Sequence, residues 1–476
     1  MAFTRSDLPD DFVIGTATAA YQVEGSVDVD GRGPSIWDDF ARVPGAITDG
    51  STGDPADDHL RRYREDVAIM ADLGVDAYRF SVAWPRVQAD GTGPANHAGL
   101  DHYRRLAESL LERGITPWAT LYHWDLPSAL EARGGWLERD TADRFAEYAG
   151  LVVAGLGDLV DHWITLNEPW CSAFLGYASG VHAPGKQLGT RAAHAAHHLM
   201  LGHGRAVPAI RAAARPTAQV GVTLNLYSVR SATDSADDRD AARRIDGLQN
   251  RLFLEPLLLG HYPEDVVRDL GEQDWFGATP ASDAAEIAAD VDFVGVNYYS
   301  RHTVRAGGGT GAATNAGGAV GAVSANPGSE FVETVDTGAP RTQMGWEIHP
   351  DGLVDVLRMV HTLRPELPIA VTENGAAYED VVDETGAVED EERRAYVEAH
   401  LAACADAVRE GIPLRGYFCW SLLDNWEWAF GYTRRFGIVH VDYATQQRTV
   451  KRSGRWLAGV LGGPLATTTE QSGAQA

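Results

Sequence analysis

Cysteine is scarce in this chain, and its spacing is uninformative. There are three, Cys171, Cys404 and Cys419, an odd number with no CxxC pair, which argues against a disulfide framework and against a thiolate zinc site. Positive charge is also in deficit: 40 Lys and Arg face 67 Asp and Glu, for a net charge of −27. A surface of that sign repels phosphate backbones and anionic lipid, so neither nucleic acid nor membrane is expected as a partner. No run approaches the roughly eighteen apolar residues that a membrane span needs. The opening MAFTRSDLPDDF lacks a basic stretch followed by an apolar core and a small-residue cleavage site, so the expectation is a cytoplasmic protein. Also missing is a glycine-rich phosphate loop, because the first strand runs into GTATAAYQVEG, with neither GxGxxG nor GxxxxGK[ST].

What is present is a regular alternation of short β-rich runs and longer amphipathic segments. The runs are FVIGTAT (12–18), AYRFSVA (77–83), TPWATLY (116–122), HWITLN (162–167), QVGVTLN (219–225), DFVGVNY (292–298), PIAVTEN (368–374) and LRGYFCW (414–420). Helical periodicity fills the intervals, for example at 59–74, 100–114 and 393–411, the last two closing on glycine. Eight strands separated by helices read as a parallel α/β fold. A (β/α)8 TIM barrel with elaborated βα loops is favoured over an open doubly wound sheet, which should carry the phosphate loop that is missing. The reading is one barrel domain over residues 1–465 and a disordered tail over 466–476. The Gly/Ala-rich stretch 306–340 reads as a long mobile loop after the sixth strand.

Polar and aromatic residues gather at the C-terminal ends of the strands: Gln22, Arg79, His123, Trp124, Asn167, Glu168, Asn297, Tyr299, Glu373, Asn374 and Trp420. In a barrel those ends open on one face, where active sites are built. Helix N-capping explains any one of them but not the whole set. Glu168 and Glu373 each end an apolar strand, where an unpartnered carboxylate is costly. A buried ion pair with Arg79 is one explanation. The other is a facing pair of carboxyls around a sugar, one to protonate a leaving oxygen and one to attack. Tryptophans in or beside these loops (Trp37, Trp124, Trp170, Trp346, Trp420, Trp426, Trp428) suit stacking against sugar faces, and DNWEWAFGY (424–432) reads as a sugar-binding loop.

One further cluster, His194, His197, His198 and His203, lies on a single helix without HExxH and is expected to be structural. Cys171 is expected to be a small packing residue.

The motifs DFVIGTATAAYQVEG, SIWDDF, YREDVAIMADLGVDAYRFSVAWPRV, TLYHWDLP, WITLNEPW, DFVGVNYY, VTENG and GYFCWSLLDNWEWAFGYTRRFGIVHVD, in this order, resemble glycoside hydrolase family 1, the β-glucosidase family, over about residues 9–459. The resemblance implies a retaining β-glucosidase with Glu168 as acid/base and Glu373 as nucleophile, and no metal or organic cofactor. It further implies Gln22, His123, Asn167 and Glu427 as holders of the sugar hydroxyls, with Trp420 and Trp428 lining that subsite. Arg79, Asn297 and Tyr299 would surround the nucleophile, and Trp124, Trp170, Leu175 and Trp346 would lie on the aglycone side. Glu427-Trp428-Ala429-Phe430 stands where 6-phospho-glycosidases of the family carry phosphate-binding residues, which implies an unphosphorylated sugar. Expected substrates are β-glucosides and short β-linked oligosaccharides such as cellobiose, with β-fucosides and β-galactosides in addition. A binding protein built on an inactive barrel is the alternative of another class, and retention of both glutamates speaks against it.

Overall fold

The computed structural model describes residues 3–307 and 323–465. The expected tail (466–476) and the middle of the expected long loop lie outside the described residues. Eight parallel strands close into a barrel in sequential order: β1 Val13–Ala17, β2 Ala77–Ser81, β3 Thr116–Tyr122, β4 His162–Asn167, β5 Gln219–Asn225, β6 Phe293–Asn297, β7 Ile369–Asn374 and β8 Leu414–Trp420. Helices run between them, including His59–Leu73, His97–Leu111, Asp140–Leu156, Ala192–Ala213, Pro350–Leu363 and Glu391–Arg409. Several stop where a glycine can take the left-handed conformation, as at Gly74 (φ 78°), which no β-carbon obstructs. Among the described residues no helix is long and apolar enough to cross a membrane.

Side-chain alternation sorts each strand into a helix-facing and an axis-facing row. On β2, Tyr78 and Phe80 stack on each other outside the barrel, while Arg79 points inward. On β8, Gly416, Phe418 and Trp420 share the inner face. The N-terminal end of the barrel is plugged by aromatic rings. Trp118 stacks on His162 at 4.3 Å and meets Phe293 at 5.2 Å and Phe418 at 5.0 Å. Glycines on neighbouring strands make room for them: a β-carbon on Gly15 would lie 2.7 Å from the Phe418 ring, and one on Gly221 would lie 2.6 Å from Phe293. Above this plug the interior turns polar, with Thr223 bonded to Thr372 at 3.1 Å and Thr120 accepting from Arg79 Nε at 3.1 Å.

Register shifts break the alternation at the C-terminal ends of β4 and β7. The pairing of β4 with β5 shifts between Ile164 and Asn167, and that of β7 with β6 shifts between Val371 and Glu373. Strict alternation would put Asn167 on the outer face with Thr165, whose hydroxyl meets His203 of the surrounding helix at 2.7 Å. The shift turns Asn167 to the axis instead, and the second shift lets consecutive Thr372 and Glu373 both reach inward. Bulges re-aim side chains in this way beside active sites.

The expected long mobile loop over 306–340 carries strand structure in its described parts. Arg301–Ala306 pairs antiparallel with Val332–Thr334 and parallel with Ser228–Ser231, making a three-stranded sheet outside the barrel. Val304 of this sheet packs on Ala241 and Ile245, which gives it a small core of its own.

Candidate active site

At the C-terminal face the two glutamates stand at the ends of β4 and β7, joined by one buried hydrogen-bond chain. Glu373 Oε1 accepts from Arg79 Nη1 at 2.5 Å, and its Oε2 accepts from the Tyr299 hydroxyl at 2.7 Å. Arg79 Nη2 donates to Asn167 Oδ1 at 2.7 Å, and the same oxygen takes Asn297 Nδ2 at 3.0 Å. Asn297 Nδ2 also reaches Glu168 Oε1 at 2.7 Å, and its Oδ1 accepts from Thr372 at 2.8 Å. Every polar atom in this chain is committed, so the carboxyls are oriented before substrate arrives. The ion pair with Arg79, weighed above as the alternative to a catalytic role, is present, and it belongs to Glu373.

The two carboxyls sit in different electrostatic surroundings. Burial, followed by the Glu373 charge, raises Glu168 to about 8. Glu168 touches an amide and a thiol, but no cation. Burial raises Glu373 as well, and here the Arg79 guanidinium and the Tyr299 hydroxyl act in the opposite sense. When the pair shares one proton it therefore resides on Glu168, leaving Glu373 ionised.

Around the pair lies a cavity lined by polar and aromatic side chains, as small-molecule sites are. Of the residues singled out from sequence, Glu168, Glu373, His123, Trp124, Leu175, Tyr299, Trp346, Trp420, Glu427 and Trp428 line it. Arg79, Asn167 and Asn297 stand behind the carboxyls. Gln22 stands behind Glu427, donating Nε2 to its Oε2 at 3.3 Å and to the Trp426 carbonyl at 3.0 Å. Burial, then the Glu373 charge, raises Glu427 to about 8. His123 is held far below its ordinary value by burial and by Arg79. Neutral, it accepts from Asn167 Nδ2 at 3.0 Å.

Three cavity-lining residues have left-handed backbone: Trp124 (φ 77°), Glu168 (φ 48°) and Trp428 (φ 46°). Each such non-glycine conformation costs about 1–3 kcal/mol and persists only where the surroundings over-determine it. Trp124 is pinned by Nε1 bonding the Asn167 carbonyl at 2.9 Å, and its ring lies 4.5 Å from that of Trp428. Gly375, two residues after Glu373, has a different reason for being glycine. A β-carbon there would lie 1.6 Å from the Trp420 carbonyl oxygen, so the ends of β7 and β8 could not meet.

Other residues differ from the sequence reading. Trp170 is buried against Phe174 and is not among the cavity-lining residues. Trp37 and Trp426 pack edge-to-face at 5.7 Å behind the cavity wall and do not line it. Cys171, expected to be inert packing, lines the cavity and places Sγ 3.1 Å from Glu168 Oε2. Its position three residues after Glu168, about one helical turn, was the available signal. His182, Tyr227, Met344, Phe430 and Phe436 line the cavity too. Of these, Tyr227 carried a signal two residues beyond a strand end, and Phe430 carried one as part of the 424–432 loop read as sugar-binding.

The four helix histidines all find protein partners: His194 bonds Glu272 at 2.9 Å, His197 bonds Asp283 at 3.0 Å, His198 bonds the Trp136 carbonyl at 3.0 Å, and His203 bonds Thr165. Among the described residues no group of three or more His, Cys, Asp or Glu is arranged to hold a metal ion.

Known proteins share this architecture. The Glycosyl hydrolase family 1 sequence profile matches residues 4–462. Beta-glucosidase A of Thermotoga maritima is 44% identical, over 95% of this chain and 97% of that one. A bifunctional beta-D-glucosidase/beta-D-fucosidase of Bifidobacterium breve is 45% identical, over 94% and 96% respectively. The crystal structure of a psychrophilic beta-glucosidase from Micrococcus antarcticus superposes with a TM-score of 0.92 at 45% identity, covering 98% of this chain and 99% of that one. With a sequential eight-stranded barrel, paired carboxyls at the ends of its fourth and seventh strands, and a profile match over nearly its whole length, this chain belongs to glycosyl hydrolase family 1.

Proposed function

We propose that the chain hydrolyses terminal, non-reducing β-D-glucosyl residues with retention of configuration, using Glu373 as nucleophile and Glu168 as acid/base. The observation that carries this reading is the asymmetry of the pair, with Glu373 on Arg79 and Tyr299 and Glu168 on uncharged donors. Glu373 attacks the anomeric carbon while Glu168 gives its proton to the departing glycosidic oxygen, and the C–O bond breaks as the glycosyl–Glu373 ester forms. Esterification removes the negative charge that favoured the protonated form of Glu168. The Glu168 carboxylate then takes a proton from water as the water oxygen attacks the anomeric carbon, releasing a β-configured sugar and restoring both groups.

Gln22, His123, Asn167 and Glu427 are assigned to the hydroxyls of the sugar, and Trp420 and Trp428 to its apolar faces. Trp124, Leu175 and Trp346 are assigned to the aglycone side. The glucosidase and fucosidase activities named for the relatives, together with an uncharged Phe430 beside Glu427, support neutral β-glucosides as substrates, with β-fucosides and cellobiose also accepted. A panel of aryl β-glycosides tests the reading: turnover is expected on the glucoside and fucoside, and a lack of turnover on every member would sink it.

A further inference from the structure

Glu168 is held on one oxygen by an amide and on the other by a thiol. Cys171 opens a nine-residue π-helical segment, Cys171–Ser179, which Pro169 and Trp170 link to Glu168, a helix form that recurs at functional sites. Its backbone N–H bonds the Glu168 carbonyl at 3.0 Å, and its Sγ lies 3.1 Å from Glu168 Oε2. Asn225, at the end of β5, donates Nδ2 to that sulfur at 3.7 Å. The three side chains form a line from the neighbouring strand to the carboxyl.

The chemistry of the donors fixes where the proton of Glu168 resides. Asn297 offers Oε1 an amide N–H, which can only donate, so in the acid form the proton belongs on Oε2, facing sulfur. A thiol is a weak donor and a weak acceptor. It can accept from Oε2–H while Glu168 is an acid, then turn its S–H toward Oε2 once the carboxylate has formed. Burial, then the Glu168 charge, holds the thiol far above its ordinary value, so it stays S–H and does not compete as a nucleophile. A hydroxyl at this position would donate strongly and favour the carboxylate, and an alkyl group would offer nothing.

We propose that Cys171, steadied by Asn225, is a positioning residue that sets how readily Glu168 releases and regains its proton. This deepens the function proposed above and rests on it. The other groups facing Glu168 are Glu373 from β7, Arg79 from β2, Asn297 from β6, Tyr299 beyond β6, Tyr227 beyond β5 and Glu427 beyond β8. None of them is substituted in a Cys171 variant, and Tyr227, which also neighbours Cys171, stays neutral because burial holds its hydroxyl far above the ordinary value, so a shift in the titration of Glu168 reports the sulfur.

The test is the pH dependence of kcat/KM on an aryl β-glucoside for the intact enzyme, C171S, C171V and E168A. The expected result is a basic limb lowered by roughly half a unit to one unit in C171S, raised in C171V, and with the acidic limb in place in both. Coincidence of the basic limbs of C171S and the intact enzyme overturns the proposal, even if C171V does not fold. The E168A profile separates this outcome from a failure of the underlying assignment. If E168A loses the basic limb while the Cys171 variants superpose, only the role of the thiol falls. If E168A keeps it, Glu168 is not the acid/base.

Discussion

Two clusters of buried carboxyls lie on the same face of this barrel, and they are built on opposite principles. In the active site Glu168, Glu373 and Glu427 gather around a single contacting guanidinium, Arg79. Behind the loops that follow β7 and β8, Asp380, Asp390 and Asp424 meet Arg393, Arg435 and Lys451 in a lattice of ion pairs. Lys451 is fully buried between Asp380 and Asp424 and is one of only two lysines in the chain. Burial pushes Asp424 up, but Lys451, Arg435 and Arg393 outweigh it and hold its carboxyl below the ordinary range. Glu168 and Glu427, equally buried, move the other way. Burial is therefore not what separates these carboxyls. What separates Glu168 and Glu427 from Asp424 is charge left uncompensated by a contacting cation, which keeps a proton on them to higher pH.

The comparison can be broken at several points. Glu373→Gly should lower kcat by about 10⁴–10⁶-fold. Added formate or azide should restore turnover and give an α-configured product, since the small anion occupies the vacated position; full residual activity without the anion would remove Glu373 from its role. Glu168→Ala should cost about 10²–10⁴-fold on poor leaving groups and far less on activated aryl glucosides. A uniform loss across leaving groups would contradict proton donation by Glu168.

In the compensated lattice the balance of effects reverses. Lys451→Met removes the ammonium shared by two buried aspartates, leaving Asp380 with Arg393 and Asp424 with Arg435, and should cost about 3–5 kcal/mol of stability, read as a lower thermal midpoint, while kcat well below that midpoint stays within about tenfold. Collapse of kcat with an unchanged midpoint would mean that the lattice belongs to the chemistry.

The smallest effect concerns Glu427. Its carboxyl is raised in the folded protein to about 8 from 4.5, so it costs no stability below pH 4.5, a growing amount as pH rises, and the full amount above 8. Glu427→Gln should therefore raise the thermal midpoint at pH 9, by roughly 2–5 °C, and leave it unchanged at pH 4. A rise of equal size at both pH values would show that proton linkage is not its origin. Binding of the sugar should weaken in the same variant.

The barrel was legible because its strands are short, β-branched runs buried on both faces; β3, β4, β5 and β8 begin and end at the residues that the sequence pattern predicts. The facing pair Glu168 and Glu373 was legible because a carboxylate that ends an apolar strand needs a reason. The inward turn of Asn167 was not, since period-2 alternation assigns it to the outer face and only the bulge opposite β5 reverses that. Trp170 and Trp426 show a limit of composition: an indole beside a catalytic loop reads the same whether it faces the sugar or the core. Phe436 and Met344 reach the cavity from loops whose closure depends on long-range contacts, such as Arg435 on Asp424, that no local pattern encodes. The short sheet formed by Ser228–Ser231, Arg301–Ala306 and Val332–Thr334 was hidden by the glycine-rich stretch between its last two strands.

Whether Glu373 forms a covalent glycosyl ester which Glu168 then helps water to open is read by proton NMR of the sugar released in the first minutes of hydrolysis of an aryl β-glucoside. β-Glucose is expected first, drifting later toward the anomeric equilibrium. α-Glucose as the first product would mean a single inverting displacement and would contradict the assignment of Glu373 as nucleophile.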